Sequence, residues 1–255
     1  EIGTIQPVEQ IGEIARRHKI AFHTDAAQSV GKYPVDVKKM GVDLLSIAGH
    51  KLYAPKGVGA LYIRDGIILE KLIHGADHEQ NKRAGTENVP EIAGLGKACE
   101  IAHHNLDKNI GHMKKMRDLL QNSIVEKLEG IRVNGHPQLR LPNTLSMSFH
   151  RIEANILLNE MEARGIAASA GAACHTDSVD ISPVLTAIRL DPDFAMGTIR
   201  FSVGRYTTED EINRASEIIT DIVSRLRPSE NSLISELSSG SGKIKLTSYT
   251  QGLGC

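Results

Sequence analysis

Val8, Ile11, Ile14 and Ala15 recur at helical spacing, and the polar residues between them predict a helix with one apolar face. The pattern then changes period. Residues 20–24 form a short run rich in β-formers, residues 42–47 form a second, and Gly59–Ile63 a third, closed by the turn Arg64-Asp65-Gly66. Strands interleaved with helices predict an α/β unit whose strands are largely buried. Ligands of such sheets bind beyond the strand ends, so the turns after these runs are where chemistry is expected.

From 91 to about 128 the pattern is mainly helical, carried by Ile92, Leu95 and Cys99, then Met113, Leu120, Ile124 and Leu128. A change of unit is expected near Leu106. Beyond it come a strand at 145–149, a helix at 154–164, a strand at 199–203 and a helix at 208–226. Thr208 is the expected cap of the last helix, with Glu209, Asp210 and Glu211 in its first turn, where the helix dipole favours acids. The expected division is therefore a first unit at 1–106, a smaller α/β unit at 107–227, a serine-rich flexible linker at 228–242, and a tail at 243–255 that returns to alternating apolar and polar residues.

The chain has 255 residues, 40% of them hydrophobic, which is enough for one large or two modest cores. A formal net charge of -1 gives no reason to expect nucleic acid or an anionic membrane as partner. No apolar run approaches the roughly 20 residues that span a bilayer. Cys99, Cys174 and Cys255 lie far apart and in no metal-ligand spacing, so neither a disulfide framework nor a metal site is expected, and a reducing cytoplasm fits.

The stretch Ser46-Ile47-Ala48-Gly49-His50-Lys51, with Pro55-Lys56-Gly57-Val58-Gly59-Ala60 after it, places a lysine at the end of an apolar strand. A lysine that forms a Schiff base needs such partial desolvation for its amine to be nucleophilic near neutrality. An isolated lysine would ordinarily be a solvated turn residue. Its company argues otherwise: His23-Thr24-Asp25-Ala26-Ala27-Gln28 ends an earlier strand with a carboxylate, which pyridoxal phosphate (PLP) enzymes need to keep the pyridine nitrogen protonated. Two further stretches stand out. Cys174 sits beside His175 in the small-residue run 168–177, where it is either a reactive thiolate or a buried structural cysteine. Arg200, in Thr198-Ile199-Arg200-Phe201-Ser202-Val203-Gly204-Arg205, has the planar fork that clamps a carboxylate.

With Asn81-Lys82-Arg83-Ala84-Gly85-Thr86-Glu87-Asn88, these motifs resemble the cysteine desulfurase and selenocysteine lyase family, from Glu1 to about Leu226. The resemblance implies PLP-dependent transferase fold type I, with a large α/β domain and a smaller C-terminal α/β domain. It makes Lys51 the Schiff-base lysine, Asp25 the partner of the pyridinium, Gln28 a contact of the phenolic oxygen, and His50 a holder of the phosphate. Thr86 should reach the phosphate of a neighbouring subunit, which implies a homodimer. Arg200 becomes the clamp for the amino-acid carboxylate and Cys174 the chalcogen acceptor. Arg205 is expected to be structural and Cys99 is given no role. His23 lies beside the pocket, where a core histidine is an equal reading. Ala48 departs from the family, which often has a phosphate-binding serine there. By the same likeness the family's N-terminal portion precedes Glu1, including a histidine that stacks on the cofactor and a threonine that holds its phosphate.

The implied reaction takes selenium or sulfur from L-selenocysteine or L-cysteine and leaves L-alanine. The Gly-Ala-Ala-Cys-His loop and the Gly-Thr-Glu-Asn turn lean toward selenocysteine lyases. A desulfurase feeding iron–sulfur or thionucleoside assembly is the alternative, and a non-catalytic dimeric scaffold is a third reading, which intact Lys51, Asp25, Arg200 and Cys174 oppose. The tail 243–255 is similar to the opening of selenophosphate synthetases, with Cys255 at the reactive position. The chalcogen acceptor would then be either a separate protein or a fused synthetase domain; a disordered tail is the plain alternative.

Overall fold

A computed structural model describes residues 1–170, 174–175, 178–179 and 181–227. The first helix, α1 (Val8–Arg17), forms where the apolar spacing predicts it. Its packing is less complete than that spacing implies, since Ile11 and Ile14 keep 40% and 50% of their surface. The helix meets its neighbour α2 (Val37–Met40) at Gly12, against the Met40 carbonyl where no Cβ would fit, and α2 is a single turn that covers little more.

The first sheet has the order β1 (His23–Asp25), β2 (Leu44–Ala48), β3 (Gly59–Ile63). β1 and β2 run parallel, with His23 opposite Leu44 and Asp25 opposite Ser46, while β3 returns antiparallel. Burial is one-sided. Leu45, Ile47 and Tyr62 pack with Val8, Phe22, Met40 and Val42, whereas His23, Asp25 and Leu61 on the opposite face stay exposed. The expectation of largely buried strands therefore holds for one face only, because α1 and α2 lie on that side and, among the described residues, no strand pairs beyond β1 or β3. A 3-10 turn, Gly49–Leu52, follows β2 directly. The return to β3 needs glycine at both ends: a Cβ at Gly49 would sit 2.6 Å from the Val58 carbonyl oxygen, and one at Gly59 would sit 2.6 Å from that of Ile47.

A short turn, α3 (His78–Asn81), precedes the helical region, which is two helices, α4 (Val89–His104) and α5 (Leu106–Val125). They meet at Asn105, whose side-chain amide donates to the Ile101 carbonyl at 2.9 Å. Leu95 and Ala98 of α4 pack on Leu52, just past Lys51. The second sheet has the antiparallel order β4 (Ile131–Val133), β5 (Thr144–Phe149), β9 (Thr198–Ser202), β6 (Ser169–Ala170). Leu145, Met147, Phe149 and Ile199 pack with Met116, Leu120 and Ile124 of α5, Leu157 and Met161 of α6 (Ala154–Ala163), and Ile219 and Ile222 of α9 (Glu209–Leu226). The alternate residues of β5 are polar and equally buried. Asn134 donates to Ser148 Oγ at 2.7 Å, and Ser148 pairs with Thr198 Oγ1 at 2.7 Å, so burial there does not leave these hydroxyls unmatched.

Thr208 caps α9 as its sequence predicts, in a capping box with Glu211. The short elements β7 (Cys174–His175), β8 (Ser178–Val179), α7 (Pro183–Ala187) and α8 (Pro192–Ala195) lie between β6 and β9, with β7 and β8 paired antiparallel. At the other end of the sequence, residues 3–5 run beside 139–141, with backbone N–H groups of Leu141 and Ile5 donating to Gly3 and Leu139 at 2.8 and 2.9 Å.

Candidate active site

Because β1 and β2 are parallel, their carboxyl ends lie on the same side of the sheet, and the two principal candidates follow from that. Asp25 is the last residue of β1, and Lys51 lies three residues beyond the end of β2. The Asp25 carboxylate accepts the Ala27 N–H on Oδ1 at 2.8 Å, a local bond that fixes its direction at the strand end. His23, two residues earlier on the same face, bonds through Nε2 to Ser46 Oγ at 2.8 Å. It is exposed, so the core-histidine reading does not apply. Ser46, which sequence reasoning passed over as part of the approach to Lys51, thus belongs to the same sheet face as Asp25.

Lys51 is half-buried and lines a cleft with Lys32, Tyr53, Asn109, Met113 and Arg205. Lys32 is the second unforeseen member. Burial, and then the nearby positive charge of Lys51, lower its amine from the ordinary 10.5 to about 8. The signal available in the sequence was slight, a lysine after the Gly31 turn. Arg205 also belongs to this cleft, stacked over Tyr53.

Arg200 lies on β9, opposite Ser146 of β5 and Ser169 of β6. Its Nη2 donates to Ser169 Oγ at 3.2 Å, while its Nε is buried and has no hydrogen-bond partner among the described residues. A buried guanidinium nitrogen without a partner is the kind of donor a ligand anion satisfies. Arg200 is not among the residues lining the Lys51 cleft. Gln28 and His50 are exposed beside the two strand ends, and Thr86 is exposed on the turn leading into α4. Cys174 falls on β7, and only its backbone pairing with Val179 is described. Cys255 and the tail lie outside the described residues. Cys99, on α4, has a thiol pushed up by burial, the behaviour of a packing residue.

An amine and a carboxylate at the carboxyl ends of adjoining parallel strands stand where α/β folds bind their ligands. Residues 1–215 match the aminotransferase class-V family. The cysteine desulfurase IscS of Methanosarcina thermophila is 46% identical over 227 residues, 89% of this chain and 56% of that protein. Among solved structures, a NifS-like protein matches with a TM-score of 0.81 at 38% identity, over 89% of this chain and 59% of that one. A structure of SspA in complex with cysteine matches at 0.63 and 36% identity, over 81% of this chain and 56% of that one. The chain belongs to the aminotransferase class-V family, with the cysteine desulfurases, a PLP-dependent group of fold type I. It spans a little over half the length of the curated relatives it matches.

The donor set fits that cofactor. Asp25, exposed at its strand end, would offer a carboxylate to a protonated ring nitrogen, and Lys51 would offer a half-buried primary amine. At position 48, where the family often has serine, the alanine contributes no hydroxyl, and the neighbouring Ser46 hydroxyl is engaged by His23.

Proposed function

We propose that this protein removes sulfur or selenium from L-cysteine or L-selenocysteine, leaving L-alanine. The observation that carries the reading is the placement of Asp25 and Lys51 at the same end of two paired parallel strands. Pyridoxal phosphate, when bound, supplies an electron sink for the pair left at the substrate Cα. Asp25 keeps the ring nitrogen protonated, and Gln28, His50 and Thr86 hold the remaining polar groups. Arg200 takes the amino-acid carboxylate, using the Nε that has no partner among the described residues. The Lys51 amine carries the proton to and from Cα. The Cys174 thiolate attacks the substrate sulfur to form a persulfide, the Cβ–S bond breaks with its electron pair left on carbon, and protonation of the three-carbon remainder gives alanine.

The relatives named as cysteine desulfurases, and the SspA structure with cysteine, favour cysteine as substrate and a sulfur acceptor protein as the next partner. A selenocysteine lyase passing selenium to a selenophosphate synthetase-like domain is the second reading, supported by the Gly-Ala-Ala-Cys-His run and the resemblance of 243–255. The reaction takes place in a homodimer in the cytoplasm. Exposed Thr86 fits a contact across that dimer, and so do Ile68 and Leu72, exposed by 93% and 91% on the preceding segment.

The test is alanine release by the full-length protein from each amino acid, with borohydride reduction and peptide mapping of the cofactor-bearing lysine. Faster release from cysteine supports the desulfurase reading and faster release from selenocysteine the lyase. Label on a lysine other than Lys51 would defeat both.

A further inference from the structure

Tyr53 follows Lys51 by two residues and adopts a left-handed backbone, φ 69° and ψ 22°, which residues other than glycine rarely take. Something must hold it there. The Arg205 guanidinium lies 4.1 Å from the centre of the Tyr53 ring and 4.8 Å from that of Tyr206. The two rings meet edge to face, 5.7 Å apart at 78°, a favoured aromatic geometry. The Arg205 backbone N–H donates to the Tyr53 hydroxyl at 3.0 Å. A Cβ at Gly204 would lie 2.5 Å from that hydroxyl, so the glycine is what lets the turn approach so closely. The turn itself is braced, because Gly204 N donates to Thr207 Oγ1 at 2.9 Å and the His112 ring of α5 bonds the Thr207 carbonyl at 2.9 Å.

These contacts join two segments that are remote in sequence and chemically complementary. One runs directly from Lys51; the other is the exit of the strand that carries Arg200. We infer that Tyr53 and Arg205 are positioning residues for the reaction, a joint that sets Lys51 relative to the carboxylate clamp. The inference rests on the proposed roles of Lys51 and Arg200. An amino acid held by its carboxylate at Arg200 must present its Cα to the Lys51 amine, and displacement by about 1 Å is enough to cost reactivity. Arg205 therefore has a use beyond packing. Its stack over Tyr53 and Tyr206 supplies attraction, and among the described residues it has no carboxylate partner.

The experiment compares full-length wild type with Tyr53→Leu, Arg205→Met, the double variant and Arg205→Lys. Cofactor absorbance should persist in all of them. Each disruptive single variant should lower kcat/KM for the amino acid by about five- to thirty-fold, with the double variant no worse than the poorer single, as expected for one shared interaction. Arg205→Lys should recover most of the loss by restoring a cation over the ring. Hydrogen exchange on the protein without substrate gives a second readout: Tyr53→Leu should speed exchange in both 49–54 and 198–206 while α9 stays protected. If Tyr53→Leu does not fold, Tyr53→Phe should still speed exchange of the Arg205 amide. Unchanged kcat/KM, multiplicative losses in the double variant, or faster exchange confined to 49–54 would overturn the joint. Wild type that turns over neither amino acid would instead defeat the proposed function, and the exchange pattern would still decide whether the two segments are coupled.

Discussion

Replacing Lys32 by methionine tests the electrostatics of the cleft without touching Lys51. The Lys32 amine is held at about 8 rather than 10.5, with burial the larger cause and Lys51 the smaller. That difference corresponds to roughly 3 kcal/mol against the folded state when the amine is charged. The amine retains some access to water, and screening reduces the expected figure to ~1–2 kcal/mol. Below pH 8 both folded and unfolded chains carry the proton, so the full cost is present. Between about 8 and 10.5 the folded chain has released a proton that the unfolded chain still holds, so stability contributed by this site rises with pH. Lys32→Met should therefore be more stable than wild type at pH 7, and the advantage should shrink as pH rises through that window. Urea unfolding of both proteins at several pH values measures the difference directly and cancels the titration of unrelated groups. A difference that stays constant with pH, or a variant less stable than wild type at pH 7, would refute the reasoning. Lys51→Met supplies a check on cause: Lys32 should remain depressed, because burial outweighs its neighbour's charge.

Arg200→Lys should weaken amino-acid binding by about 1.5–3 kcal/mol despite the retained charge, since an ammonium cannot reproduce the planar fork; KM measurements with cysteine check this. Cys174→Ala should nearly abolish persulfide formation from cysteine while cofactor absorbance persists, and equal sulfur release by variant and wild type would remove Cys174 from the reaction. Thr208→Ala, which breaks the capping box with Glu211, should destabilise the chain by about 1 kcal/mol in urea unfolding.

The longer elements were legible because their apolar spacing and their packing agree. β3 and the capped helix α9 follow their sequence signals closely, as do α6 and β5. The short pieces α2 and α8 were not: each spans four residues, too few for any period to register, and they are fixed by caps at Asp36 and Asp191. The one-sided burial of the first sheet was hidden for a different reason. Alternation in residues 44–48 shows which side is apolar, and says nothing of whether anything lies on the other. At the candidate site, the placement of Lys51 and Asp25 at strand ends was legible, because the apolar runs before them mark where the strands stop. Lys32 and the Tyr53–Arg205 stack were not, because they arise from contacts between distant segments, and no local spacing records that Arg205 lies over a ring 152 positions earlier.

The path of residues 3–5 along 139–141 bears on how the molecule can flex. The backbone runs beside the second sheet's unit before it enters α1, and it leaves the first sheet's unit again at Asn105. The two halves are thus tethered by two separate covalent crossings. A single crossing would act as a swivel, free to turn in any sense. Two crossings remove much of that freedom, and the Tyr53–Arg205 contact joins the same halves at a third place, away from both.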